Sequence, residues 1–159
     1  MEKVHTEIIP GVGLGKLKFG MSREEVKAIL GEPNHQQITD YGDEESDQND
    51  AWEYHPLRLD MSFEEAENWK LTIISISSED YHLKGSSLIG LNMEELLEEL
   101  EVLGFDELEI EDTSSAENPD QMLVSSEDQG INFWVNEDIV EEIQWGPIFT
   151  NDNTIQWPE

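Results

Sequence analysis

The chain has 159 residues, no cysteine, and 38 acidic against 8 basic side chains, a formal charge of −30 at neutral pH. That length suits one domain or two small units sharing a core. The lack of cysteine excludes disulfides, thiolate metal sites and thiol nucleophiles and fits a reducing compartment. No stretch approaches the roughly 18 apolar residues of a membrane span. With an N-terminus that has no basic region followed by an apolar run, a soluble, cytoplasmic protein is expected.

Residues 1–40 are nearly neutral, with six acids and five bases. Gly11-Val12-Gly13-Leu14-Gly15 looks superficially like a phosphate loop, but the sixth position is Lys16 where the dinucleotide pattern needs glycine, and the next helix signal is distant. A turn or bulged strand is expected there. Ser22 with Glu25 forms a capping box, Val26, Ile29 and Leu30 supply an apolar face, and Gly31 followed by Pro33 stops the helix.

Beyond residue 40 the balance changes: residues 41–84 hold twelve acids and three bases. Tyr41 to Asp50 predicts an exposed acidic loop. Its alternate oxygen ligands suggest calcium, yet from Asp43 the sixth position is Gln48 and the twelfth Tyr54, not Gly and Glu. Strand patterns follow at Trp52 to Tyr54, Leu57 to Phe63 and Leu71 to Ser77. Trp69, beside the polar Glu64-Glu65-Ala66-Glu67-Asn68 turn, and Trp157 suit exposed anchors, whereas Trp134 and Trp145 suit a core.

Residues 85–159 carry twenty acids and no Lys or Arg. Seventy residues after Gly20, Gly90-Leu91-Asn92-Met93-Glu94-Glu95-Leu96 repeats the first helix start, and Met93, Leu96, Leu97, Leu100 and Leu103 continue at helical spacing to Gly104. An acidic loop, Asp112 to Asp120, then precedes strand patterns at Met122 to Ser125, Ile131 to Val135 and Ile139 to Trp145. So much apolar material argues against disorder as the origin of the charge, and a high-salt adaptation would have acidified the first forty residues too. The expected fold is α+β: two tandem repeats, 1–85 and 86–159, each a short helix packed on antiparallel strands, able to join in one continuous sheet within one compact unit.

Leu17 to Val26, then Leu30-Gly31-Glu32-Pro33, then Trp52-Glu53-Tyr54 resemble the repeat of beta-lactamase-inhibitor-protein-like and SmpA/OmlA-like modules. The second half matches more loosely, lacking Gly-Glu-Pro after Leu103. The resemblance implies short helices against an antiparallel sheet, with the sheet or its loops binding proteins. The SmpA-like branch consists of exported lipoproteins, and this chain has no lipidation cysteine, so that function does not transfer. In its acidity the chain is similar in character to immunity proteins of bacterial toxin systems.

No catalytic arrangement is visible. His5, His35, His55 and His82 show no metal-ligand spacing, and no serine lies in a Gly-x-Ser-x-Gly turn. No enzyme activity, cofactor or metal is expected. Glu98, Glu99 and Glu101 crowd the last turns of the second helix, where carboxylates oppose the dipole and no base is near in sequence. Glu94 to Glu98 and Glu95 to Glu99 are like-charge pairs. A partner-binding surface is therefore expected at Asp43, Glu44, Glu45, Asp47 and Asp50, at Glu64, Glu65, Glu67 and Trp69, and at Glu94, Glu95, Glu98, Glu99 and Glu101. The expected function is an immunity-type inhibitor covering a basic surface of a toxin such as a nuclease. The alternative is a non-inhibitory adaptor that binds a cellular protein through its sheet. Nucleic acid and membrane are not expected partners.

Overall fold

Local capping chemistry fixes where both helices begin. In the computed structural model, which describes residues 7–40, 48–105, 107–117, 119–126, 129–149 and 154–157, Ser22 stands in extended backbone and accepts the Glu25 amide at 3.2 Å, while Glu25 accepts the Ser22 amide at 3.0 Å. Asn92 and Glu95 do the same at 2.8 and 3.1 Å. Each cap follows a glycine held at positive φ, +98° at Gly20 and +96° at Gly90, a conformation that other residues adopt only under strain.

In chain order the elements are β1 (Glu7–Ile9), β2 (Gly13–Leu14), β3 (Leu17–Lys18), α1 (Arg23–Leu30), β4 (His35–Asp40), β5 (Gln48–Tyr54), β6 (Leu59–Glu64), β7 (Lys70–Ile76), β8 (His82–Leu83), α2 (Met93–Val102), β9 (Glu109–Asp112), β10 (Gln121–Ser126), β11 (Ile131–Asn136), β12 (Ile139–Trp145), β13 (Ile148–Phe149) and β14 (Ile155–Gln156). The fold is a mixed α+β arrangement dominated by antiparallel strands. Eight of them form one sheet in the order β4-β5-β6-β7-β12-β11-β10-β9. It consists of the four-strand meander after α1 and the four-strand meander after α2, joined where β7 runs antiparallel to β12. A smaller sheet, β3-β2-β1-β8, combines the glycine-rich segment with the chain that links the meanders. Gly13 in it accepts the Trp145 indole N–H at 3.0 Å, tying the two sheets together.

Each helix start is pinned to the last strand of its own meander. Gly20 donates to the Leu71 carbonyl and Leu71 donates to that of Met21, both at 2.9 Å; Gly90 and Leu91 make the corresponding pair with Val140 at 2.9 and 2.8 Å. The register shifts beside these anchors, between Ser62 and Phe63 on β6 and between Trp134 and Val135 on β11. The turns entering β7 and β12 both use two residues at positive φ, Asn68 with Trp69 and Glu137 with Asp138.

Helices and sheet bury a shared core in which Val26, Leu96 and Leu100 pack with Trp52, Met61, Phe63, Ile74, Phe133, Ile143 and Trp145. Tyr54 and Tyr81 are buried with their hydroxyls donating to the carbonyls of Gly31 at 2.8 Å and Leu57 at 2.6 Å; burial pushes both phenols up to about 12. No helix among the described residues is long and apolar enough to cross a membrane.

Several expectations need correction. The stretch ending at Asp50 is not loop throughout, because Gln48–Tyr54 is one strand whose alternation buries Asp50, Trp52 and Tyr54 together. Trp134 is not core: it lies on the face of β11 opposite Phe133 and Val135 and is only half-buried. Trp69 is half-buried, with the Arg23 guanidinium 4.4 Å above its ring. The last turn of α2 does meet a cation, since Lys84 reaches from a turn nineteen residues earlier and donates to the Leu103 carbonyl at 3.0 Å.

Candidate functional site: the open face of the eight-stranded sheet

Side chains alternate across a pleated sheet, so a register row lies wholly on one face. The row Trp52, Met61, Ile74, Trp145, Ile131 faces the helices. The adjoining row points the other way and crosses all eight strands: His35, Glu53, Asp60, Ser75, Gln144, Asn132, Ser125 and Glu109. It contains no apolar residue. A second row on the same face runs Glu142, Trp134, Leu123, Glu111, placing an aromatic and an aliphatic side chain between two carboxylates. The face is therefore polar and acidic, with Trp134 near its middle and its indole N–H 3.5 Å from Gln144 Oε1.

Electrostatics make the middle of this face the least comfortable place for negative charge. Asp60 is held above the ordinary carboxylate range by desolvation, then by the charge of Glu53, against a lowering by His55. Glu142 is also raised, by desolvation first and by Asp60 next, with the Ser75 hydrogen bond and Glu141 acting in opposite directions. His55 and His35 lie 3.2 and 3.9 Å from Glu53. At one end of the face, Ile155 closes a cleft of about 440 Å³ with Ile73, Ser125 and Asn132.

The scarce cations do not neutralise this surface. Arg23 bonds Asp50 and covers Trp69; Lys27 lies by Glu32 and over Trp52; Arg58 donates to the Ser77 carbonyl; Lys70 covers Trp157; Lys84 caps α2. Each is turned onto the protein itself. The acids after Lys84 have no Lys or Arg in their own half to pair with.

The sequence-derived site residues fall in four places. Asp43, Glu44, Glu45 and Asp47, including most of the considered calcium loop, lie outside the described residues. Asp50 is fully buried: Oδ2 accepts from Arg23 Nη1 and Gln36 Nε2, each at 3.0 Å, so it serves the fold and is withdrawn from any partner surface. Glu64, Glu65, Glu67 and Trp69 cluster at the β6–β7 turn and are half-buried, and Glu65 Oε1 is enclosed without a hydrogen bond. On α2, Glu94, Glu98 and Glu101 are exposed, Glu95 closes the capping box, and Glu99 accepts the Ser86 hydroxyl at 2.9 Å. These α2 acids belong to the helix-bearing side, not to the open face.

Asp60, Glu142 and Glu53 were not among the partner-binding residues expected from sequence, and Trp134 was expected in the core. Alternation would have found Trp134, because Ile131, Phe133 and Val135 take the buried positions and leave Asn132, Trp134 and Asn136 outside. Alternation likewise leaves Asp60 outside, between buried Leu59 and Met61; that Asp60 and Glu142 come together is not legible locally, because it depends on the strand order that brings β6 near β12. No group of three or more His, Asp or Glu among the described residues is placed to hold a metal ion. Comparison with protein-family models, curated proteins and solved structures gives no match for this chain.

Proposed function

We propose that this protein is an immunity-type inhibitor that lays the open, acidic face of its sheet against a basic surface of a partner protein, such as a toxin with a cationic nucleic-acid site. The observation that carries the proposal is the pairing of an acid-bearing sheet face with five cations, Arg23, Lys27, Arg58, Lys70 and Lys84, that are engaged elsewhere in the molecule. A partner's lysines and arginines would supply the missing counter-charge, accelerate encounter and relieve the repulsion between Asp60 and Glu142. Trp134 gives the face one large amphipathic contact of the kind that anchors interfaces. Nucleic acid is disfavoured because phosphates meet a field of the same sign. Action in the cytoplasm belongs to the same proposal.

We also infer that the two halves are one structural unit used twice. The matching glycines, capping boxes, anchor hydrogen bonds and register shifts support this reading. The unit would explain a sheet wide enough to cover a protein surface.

The test is affinity capture followed by charge reversal. Glu142→Lys with Asp60→Lys is expected to abolish binding to the captured basic protein, Glu98→Lys on the helix side to leave most of it, and the partner's activity to be suppressed by the wild type. Binding should also weaken as salt shortens the screening length from roughly 10 Å at 0.1 M to 3 Å at 1 M. A captured partner held equally well by the reversed face would overturn the proposal, and binding without suppression would favour the adaptor.

A further inference from the structure

A cleft of about 780 Å³ opens in the second half where the start of α2 meets the ends of β9, β10 and β11. Met93, Met122 and Val135 form its floor. Asp112, Asp120 and Asp138 stand around it, all exposed.

The first half shows how such a position can be occupied. Sheet register fixes the correspondence: Ile38, Asp50, Phe63 and Leu71 are paired in sequence across β4 to β7, as Asp112, Met122, Val135 and Val140 are across β9 to β12. Leu71 and Val140 are the residues that anchor the two helix starts. Arg23 and Met93 are the first residues of α1 and α2, and Trp69 and Asp138 the last turn residues before β7 and β12. In the first half the guanidinium of Arg23 fills the site, bonded to buried Asp50 at 3.0 Å and stacked on Trp69. In the second half Met93 replaces the arginine, Met122 the buried acid, and acids take the outer positions of Ile38 and Trp69.

We propose that this cleft receives an arginine side chain from the basic partner, in the position that Arg23 occupies in the other half. The inference rests on the basic-partner reading above but on a different surface. Met93, Met122 and Val135 offer a polarisable floor to the aliphatic stem and guanidinium plane. Asp112 and Asp138 are already oriented: Asp112 Oδ1 accepts the Ser114 amide at 2.9 Å, and Asp138 Oδ1 accepts the Met93 amide at 3.2 Å. The second bond also offsets the positive end of α2, which would otherwise repel a cation. Both carboxylates are exposed at the cleft, where a guanidinium can donate to them.

Methyl NMR of the methionines tests this with acetyl-Gly-Arg-Gly-amide as probe and acetyl-Gly-Gln-Gly-amide as control. The arginine peptide is expected to shift the Met93 and Met122 methyls saturably, leaving Met61 in the core and Met21 in the first half unmoved. Asp112→Asn with Asp120→Asn should weaken the effect, by up to about five-fold per exposed carboxylate. Met93→Arg supplies the cation within the chain and should abolish the response of Met122 while raising the melting temperature. No saturable shift, an equal shift with the glutamine peptide, or an undiminished response in Met93→Arg would each overturn the inference. If the peptide fails while a basic protein still binds through the face bearing Asp60 and Glu142, the cleft is refuted and the open-face reading stands. If charge reversal there has no effect while the methyls respond, the reverse holds.

Discussion

Replacing Arg23 by methionine is expected to be among the most damaging single changes that leave the apolar core intact. Asp50 is 0% exposed and its Arg23 partner 30%. Breaking a buried ion pair from one side costs roughly 3–5 kcal/mol when nothing replaces the partner. Two features reduce that here: Arg23 is partly solvated, and Gln36 still donates to Asp50. The stacking of Arg23 on Trp69 adds about 0.5–1 kcal/mol to the loss. We expect Arg23→Met to cost about 2–3 kcal/mol, and Asp50→Met alone about 1–2 kcal/mol, because the freed guanidinium can turn to water. The double variant installs the methionine pair that the second half uses at Met93 and Met122, and should be near neutral, since an apolar pair often replaces a buried ion pair without loss. Urea titrations of the four proteins give the coupling energy, expected at about 2 kcal/mol or more. A loss below about 0.5 kcal/mol for Arg23→Met, or additive losses in the double variant, would refute the assignment of Asp50 to the fold.

The raised titration of Glu142 has a definite sign. A carboxyl whose folded pKa exceeds its unfolded value binds more protons when folded, so stability falls as pH rises from the ordinary value of 4.5 through the raised one. Glu142→Gln should therefore stabilise at neutral pH, by roughly 0.2–1 kcal/mol for removal of a like-charge neighbour, and the gain should vanish below the ordinary value; melting curves across pH check this. Carboxyl NMR titration should show Asp60→Asn moving Glu142 back toward that value. Lys84→Ala removes the cation bonded to Leu103 at the end of α2, and thermal melts should show a loss of about 0.3–1 kcal/mol.

Features that depend on a few neighbouring residues were legible from sequence. Ser22 with Glu25 and Asn92 with Glu95 marked both helix starts, and Ile139 to Trp145 was read as a strand with the boundaries it has. Edge strands were not: His35–Asp40 and Glu109–Asp112 pair on one side only, and their residues are mostly exposed, so neither strand carries an apolar alternation. Asp50 was misjudged because a run of acids drew attention from the alternation that sets it beside Trp52 and Tyr54. Lys84 was missed as a helix cap because nothing in the spacing brings it to Leu103. The open face depended on the pairing of β7 with β12, a contact between residues about seventy positions apart.

The width of the sheet restricts what can lie against it. Neighbouring strands rotate by roughly 20–25° and stand about 4.8 Å apart, so the polar row from His35 to Glu109 spans roughly 34 Å while turning through about 140–175°. Its two ends therefore look in widely different directions. A flat or rigid convex body would meet only the central strands, where Asp60, Glu142 and Trp134 reside, and a body touching the whole row would have to wrap around it as a saddle-shaped or extended segment.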